Sequence, residues 1–440
     1  MKKIFLTAAG FAMLCRLNTY AQIASAKINK KAFNIYQPIS NGDSTGYQTK
    51  PLRLDEVNLV SSYYWQDGNH SAVTGGIGTE HVTDLSNGIN LKFVWTGPGQ
   101  HKNTLDAGLG FDNHTSASQA FINKSGASRT DGNRIYPSLD WTSENEKKGT
   151  SFGLGSYVSS EYNYNSFGAD LHFSLKTANK MGEFGAKFQG YFDQVRLIYP
   201  SEFIPTSTIV TTGGTTVITT ASGRTSTLSS GGGSENRKEN IPFSPRHTYS
   251  GSFSYSQIIN PRLQVMFLAD LVKQDGYLGL PFHRVYFNTG KDTIERLPST
   301  RFKLPVGFRA NYFLGDSFII RAYYRYYTDD WGIHSNTANL EIPIKISPFF
   351  SVAPFYRYYG QTAAKYFAPY EAHATTDAYY TSNYEYAQFN SNFFGAGIRL
   401  APPKGVLGWQ NLHELEVRYG HYQQTTGLVS NVISLSLGFK

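Results

Sequence analysis

Alternation with a period of two runs through almost all of this 440-residue chain. In FGADLHFSLK, Phe167, Ala169, Leu171, Phe173 and Leu175 alternate with Gly168, Asp170, His172, Ser174 and Lys176. TRFKLPVGFRANY sets Phe302, Leu304, Val306, Phe308 and Ala310 against Arg301, Lys303, Arg309 and Asn311. NLEIPIKI and the closing NVISLSLGFK repeat the pattern. Successive side chains of a strand point to opposite faces, so each stretch is an apolar face backed by a polar one. A soluble sandwich also alternates, but its wet face is the outside and it rarely needs so many strands. A barrel in a membrane turns the apolar face to lipid and the polar face to its lumen.

Connection lengths decide between the two. About sixteen segments alternate: near 55–64, 87–96, 103–112, 134–142, 150–161, 164–177, 183–198, 246–258, 261–273, 299–313, 317–329, 334–346, 349–360, 386–400, 411–422 and 430–440. Even-numbered links are compact, such as Asn179-Lys180-Met181-Gly182, Leu314-Gly315-Asp316 and Ser347-Pro348. Odd-numbered links are mostly long, roughly 65–86, 113–133, 199–245, 274–298 and 361–385. Short periplasmic turns alternating with long external loops are the outer-membrane pattern. The pattern predicts an all-β, transmembrane, antiparallel up-and-down barrel of about sixteen strands, with fourteen or eighteen as the neighbouring counts and both termini periplasmic. No run approaches the roughly 18 apolar residues of a membrane helix.

Residues 1–21 read as a signal peptide: Lys2 and Lys3 precede the apolar Ile4–Leu14 run, and Thr19-Tyr20-Ala21 supplies small residues before a cut. Ala24-Ser25-Ala26 is a second candidate site. Cleavage at Ala21 would remove Lys2, Lys3 and Arg16, leaving 37 basic against 32 acidic residues, a net charge of +5. It would also remove Cys15, the only cysteine, and with it any disulfide, thiolate metal site or haem-attachment motif. Leu14 before that cysteine is too large for a lipoprotein cleavage site. Residues 22–54 are expected as a periplasmic lead-in that could fold back as a plug, and 55–440 as the barrel. Within it, the link 199–245 holds a Thr/Ser/Gly-rich stretch at 205–234 without an acidic or aromatic residue. That composition predicts a mobile external loop, with some chance of extending the hairpin.

Mapping the polar faces predicts two charged walls. Strands ten to thirteen would send in Arg301, Lys303, Arg309, Arg321, Arg325, Lys345 and Arg357, opposed by Glu341 alone. Strands three to six would send in Asp106, Asp112, Asp140 and Asp170, with Arg134, His172 and Lys176 among them. In a sixteen-stranded ring these walls face one another, and low-dielectric walls focus such a field on polar solutes. The alternative is that the charges pair and rigidify a closed lumen. Barrels of this size usually leave an aqueous channel unless plugged.

His172, Ser174 and Asp170 share one face of one strand at two-residue spacing, about 7 Å between neighbouring Cβ atoms. A triad converges from different elements, so no catalysis is expected. Asp131-Gly132-Asn133 reads as a turn rather than a calcium loop, and no metal is expected. Tyr323-Tyr324-Arg325-Tyr326-Tyr327 and Tyr356-Arg357-Tyr358-Tyr359 suit interfacial girdles. Phe439 resembles the near-terminal aromatic sorting signal read by barrel-assembly machinery, with Lys440 as an added residue. DNHTSAS (112–118) resembles the pattern at which periplasmic flavin transferases esterify a hydroxyl with FMN. By that match Ser118 is the acceptor and Asp112 the leading acid, while Ser116 stands where Gly is usual. The stretch reads as an ordinary polar loop, so no cofactor is expected and covalent FMN is the alternative.

The stretches LDEVNLVSSYYWQDG (54–68), RYYTDDWGIHSNTANLE (325–341) and PFYRYYGQTAAKYF (354–367) resemble an uncharacterised family of outer-membrane barrels, chiefly from Bacteroidota. The resemblance covers nearly the whole mature chain. It implies the same fold and location, and a redox link through flavin transferases and thioredoxin-like proteins. The leading expectation is a passive or weakly selective pore for small polar or anionic solutes. The alternative is a non-conducting scaffold for a periplasmic or surface protein, in a flavin-linked electron-transfer assembly. Expected partners are the outer-membrane bilayer, the assembly machinery and small polar solutes; nucleic acid is not among them.

Overall fold

The structure is a computed structural model that describes residues 49–115, 132–161, 163–197 and 243–440, and the backbone of 208–212, 215–219 and 225–229. Sixteen antiparallel strands follow one another round a closed ring. They are β1 (Lys50–Asp67), β2 (Val82–Thr96), β3 (His101–His114), β4 (Gly132–Asn145), β5 (Thr150–Glu161), β6 (Tyr164–Lys176), β7 (Gly182–Arg196) and β8 (Phe243–Asn260). The second half holds β9 (Leu263–Gly276), β10 (Thr300–Leu314), β11 (Phe318–Asp329), β12 (His334–Glu341, continued at Ile344–Ser347), β13 (Phe350–Gln361), β14 (Phe389–Leu400), β15 (Leu412–Gln424) and β16 (Val429–Phe439). β12 is interrupted at Pro343, whose ring removes a ladder donor. Its carbonyl still accepts from Ile319 N of β11 at 3.0 Å. The closing NVISLSLGFK seals the ring: β16 pairs with β15 on one side and with β1 on the other, from Val57↔Phe439 to Asp67↔Val429.

The faces sort as the alternation requires. Leu109, Phe111, Phe152, Leu154, Phe167, Leu171, Phe188, Phe308 and Ile433 are all exposed on the outer face. The inner face of the same strands carries Asp112, Gly153, Gly155, Asp170, Lys187 and Arg309. Water on both sides would leave this apolar outer surface without a reason, whereas lipid supplies one.

The tyrosine-rich segments split between the faces instead of lying wholly in girdles. Tyr324, Tyr326, Tyr356 and Tyr358 point outward, while Tyr323, Tyr327 and Tyr359 point into the lumen, because neighbours on a strand cannot share a face. The outward phenols are tied to asparagines: Tyr324 to Asn336 (2.6 Å), Tyr356 to Asn392 (2.6 Å), Tyr358 to Asn390 (3.0 Å) and Tyr419 to Asn431 (2.8 Å). Phe439 packs edge-on against Trp409, with ring centroids 5.4 Å apart.

One rim of the barrel has the turns 97–100, 146–149, 177–181, 261–262, 315–317 and 348–349, with a longer 401–411 link. The other rim carries the long links, and its 162–163, 330–333 and 425–428 connections are short. Part of the long 197–242 link forms a three-stranded antiparallel meander, Thr208–Thr212, Thr215–Thr219 and Thr225–Ser229. β-branched Thr, Val and Ile are enriched in strands.

Among the described residues, the largest fully buried side chains, Trp331, Val285 and Thr381, lie in the links. Val285, Trp331, Ile333, Ala364, Thr381 and Ser382 come from 277–299, 330–333 and 362–388, which knit together at the long-loop rim. The 68–81 link joins them through His70 stacked on Tyr384 (3.8 Å) and the Arg284 guanidinium on the Val73 carbonyl.

Candidate functional site

Register on β10 to β13 arranges the basic wall in rungs. Lys303 stands beside Asp329. Two residues further into the barrel Tyr327 stands beside Ser335, and Ser335 beside Gln361. Then come Arg325, Thr337 and Tyr359, followed by Arg309, Tyr323, Asn339 and Arg357, and then Arg321, Glu341 and Phe355. Lys345 lies beyond, beside Ser351. The residues predicted for this wall therefore form a ladder along the height of the lumen, with Arg301 at its head.

Only part of the ladder is neutralised, and Glu341 is not alone in doing it. Arg301 binds Asp329 through Nε at 3.0 Å, and Tyr327 OH donates to the same oxygen at 2.7 Å. The other Asp329 oxygen accepts from Ile333 N at 3.0 Å. Asp329 was left off the predicted walls although the expected segment 317–329 ends on it; odd-numbered like Arg325 and Tyr327, it shares their inward face. Glu341 binds Arg321 at 2.8 Å and Arg418 of β15 at 3.0 Å. Arg309 lies 5.6 Å from the Tyr323 ring centre. Arg357 donates to Asn339 at 3.4 Å. Among the described residues Arg325 makes no ion pair, and its Nε is buried without a hydrogen-bond partner. Asp270 of β9 is within its electrostatic reach but not at ion-pair distance.

Three of the four predicted acids gather on one rung. Lys92 of β2, Asp106, Asp140, Gly155, Asp170 and Gln189 follow one another across β2 to β7. Asp170 is fully covered and accepts from His172 Nδ1 (2.9 Å), Lys187 Nζ (3.0 Å) and Tyr157 OH (2.6 Å). His172 Nε2 meets Thr142 Oγ1 at 2.9 Å and lies 3.8 Å from Asp140. Glycine makes this reach possible: a Cβ on Gly153 would sit 2.1 Å from His172 Nε2, and one on Gly155 2.1 Å from Asp170 Oδ2. With β5 bare at these two points, β6 side chains lean across it to β4.

Asp170 and His172 thus touch despite their wide Cβ spacing, because both side chains bend over the glycine strand. Ser174 does not join them; it bonds Ser151 at 2.8 Å. Asp112 lies nearer the long-loop rim, taking Tyr136 OH at 2.8 Å with Arg134 at 4.0 Å. Lys176 binds Glu144 at 2.6 Å. Asp140, Asp170 and His172 each bring one donor atom within 4.8 Å of the others, a spacing that could hold a metal ion. Lys187 and Tyr157 already occupy Asp170, so a cation would have to displace Lys187. Ser118 and most of the 1–54 segment lie outside the described residues.

The knitted links roof the head of the ladder. Arg301 lies 4.4 Å from the Trp331 ring centre and 5.6 Å from that of Tyr386. The indole Nε1 donates to the Thr300 carbonyl at 2.9 Å. Gln361 on the wall holds the roof link through Glu385 O (2.9 Å) and Ala387 O (2.6 Å). Burial, then the Glu295 charge, holds the Tyr386 hydroxyl above its ordinary range, so it stays a neutral phenol. Beneath lies a cavity of about 370 Å³ lined by Arg301, Arg325, Tyr327, Thr337, Tyr359 and Tyr386, among others. Sequence reasoning named both arginines but not the roof, which needs links from four separate parts of the chain.

The family model described as "Protein of unknown function (DUF3570)" matches residues 128–433, more than two thirds of the chain. No curated protein matches the sequence. Among solved structures, OccK1 (OpdK) of Pseudomonas aeruginosa is similar at 8% identity and a TM-score of 0.38, covering 87% of this chain and 97% of its own. A BenF-like porin from Pseudomonas fluorescens Pf-5 is similar at 8% identity and a TM-score of 0.38, over 89% and 98%. A bacterial polysaccharide outer membrane secretin is similar at 8% identity and a TM-score of 0.41, over 87% and 98%.

Proposed function

The chain belongs to the DUF3570 family, and we propose that it is an outer-membrane barrel that passes small polar solutes, with a preference for anions. The membrane is supported by the apolar outer face and by the band of outward tyrosines, whose amphipathic rings suit the headgroup level. The anion preference rests on one observation, the incompletely neutralised ladder from Lys303 to Lys345. Fixed cations facing a low-dielectric wall raise the local anion concentration. Charged rings and walls select ions in the same way in other channels.

Planar-bilayer recording tests this. Wild-type protein should conduct with a reversal potential biased toward the anion, and the triple change Arg309→Ser, Arg321→Ser, Arg325→Ser should move it toward the cation. A barrel that inserts but passes no current would sink the pore. A second reading is favoured by the knitted loops at the rim: a closed scaffold barrel whose roof binds a surface protein. Co-purification of a stoichiometric partner from mildly solubilised membranes, with no conductance, would favour that reading.

A further inference from the structure

We infer that the cavity under the loop roof is a saturable binding station for a compact oxyanion, a carboxylate or phosphate group, held by Arg325. The inference deepens the pore reading, from which it takes the solute's route of access.

The charge inventory of the cavity carries the argument. Two guanidinium groups line it. Arg301 is committed, since Asp329 takes its Nε at 3.0 Å and Tyr327 completes that carboxylate's shell. Arg325 has no such partner among the described residues, and its Nε is an orphan. Orphaned buried donors are rare in folded proteins, and each calls for an explanation such as a missing ligand. Lys303, on the same inner face as Arg301, stands beside an Asp329 whose oxygens are already occupied. It adds positive potential behind the site, with no ion pair of its own among the described residues.

The remaining lining suits a small polar solute. Glu385 is the carboxylate among the lining residues, and it turns toward Asn383 Nδ2 at 3.4 Å. Thr337 lies beside Arg325 in register and offers a hydroxyl at the same level. Tyr359 gives its proton to Gln361 Oε1 at 2.6 Å and lines the cavity beside it. A volume of about 370 Å³ falls at the lower end of small-molecule sites, roughly 300–1,000 Å³. Guanidinium is the side chain best matched to the planar or tetrahedral oxygens of such anions, through parallel N–H donors.

The test uses the full-length barrel in detergent, with benzoate and inorganic phosphate as separate calorimetric probes. One of them should bind saturably, and which one does so identifies the oxyanion. Arg325→Gln should weaken that binding about tenfold or more, the range expected when a charge-assisted hydrogen bond is lost. Arg325→Lys should recover part of it. Arg399→Gln, which disturbs a pair with Glu414 on β14 and β15 (2.7 Å), should bind like wild type. Heat-modifiable gel mobility checks that each variant is folded. No saturation with either probe, or equal binding by folded Arg325→Gln and wild type, overturns the station. Conductance without saturable binding removes the station and leaves the pore; binding by an electrically silent barrel supports the station and removes the pore.

Discussion

Arg325 on β11 and Asp170 on β6 both point into the lumen near the middle of their strands. Asp170 has three partners within 3.0 Å, and Arg325 has no ion partner among the described residues. The difference extends to the walls they stand for. Asp106, Asp140 and Asp170 share one transverse rung, and His172, Lys187 and Lys92 are on or beside it. The basic residues are strung lengthwise, one or two to a rung, with Asp329 and Glu341 as their carboxylates at the two ends. A transverse, saturated belt braces strands against one another. A lengthwise ladder with open charges holds strands together poorly, and instead creates a field along a path. By ring order β4 and β12 are eight strands apart, so the brace and the ladder face each other across the lumen.

The strongest way to break this comparison is to remove the centre of the brace. Asp170→Ala leaves Lys187 and His172 facing each other over a covered void, and losing one partner of a buried pair costs about 3 kcal/mol or more. The variant should unfold at clearly lower urea or temperature in heat-modifiability gels. Arg325→Gln should leave that midpoint nearly unchanged. Equal losses from the two changes would mean that the walls do not divide the work.

Gly155→Ala should act next most strongly. Its Cβ would lie 2.1 Å from Asp170 Oδ2 and 2.8 Å from the Tyr157 hydroxyl, so the bond between them must yield. Overpacking of this kind costs about 1–3 kcal/mol. Gly190→Ala is the matched control on β7, because its nearest neighbour would be 3.5 Å away, in ordinary contact. A midpoint lowered by Gly155→Ala alone supports the glycine saddle, and no difference between the two refutes it.

What the sequence could tell about these walls follows from the range of the forces involved. Each strand's facing is decided locally, by residues two apart and a lipid boundary, so sixteen segments and the alternation of short and long links are readable without any contact. The inward positions of Arg301 to Lys345 come from the same rule. Partner choice does not, since it depends on register between strands and on which neighbour is bare. Nothing near Asp170 announces that Gly153 and Gly155 lie beneath its network, although two glycines at a two-residue spacing on an inner face were a usable hint. Asp329 was hidden by its position at a strand end, and the roof by its assembly from 68–81, 277–299, 330–333 and 362–388.

The smallest expected effect sharpens the ladder side. Glu341 is shared by Arg321 and Arg418, with the three side chains partly open to the lumen. Exposed pairs contribute under about 1 kcal/mol each, so Glu341→Gln should hardly move the unfolding midpoint. The glutamine keeps the shape and an acceptor oxygen while removing one negative charge from the wall. Arg321 then loses its counter-charge, while Arg418 keeps Glu416 at 3.1 Å, and the reversal potential should shift modestly further toward the anion. That shift is opposite in sign to the effect of Arg309→Ser, Arg321→Ser, Arg325→Ser, and it comes from a change that adds no cation. Low salt should enlarge it, because a Debye length of about 10 Å at 0.1 M lengthens as salt is diluted. A shift toward the cation, or a marked loss of stability, would mean that Glu341 serves as a brace like Asp170, and the contrast between the two walls would fail at this rung.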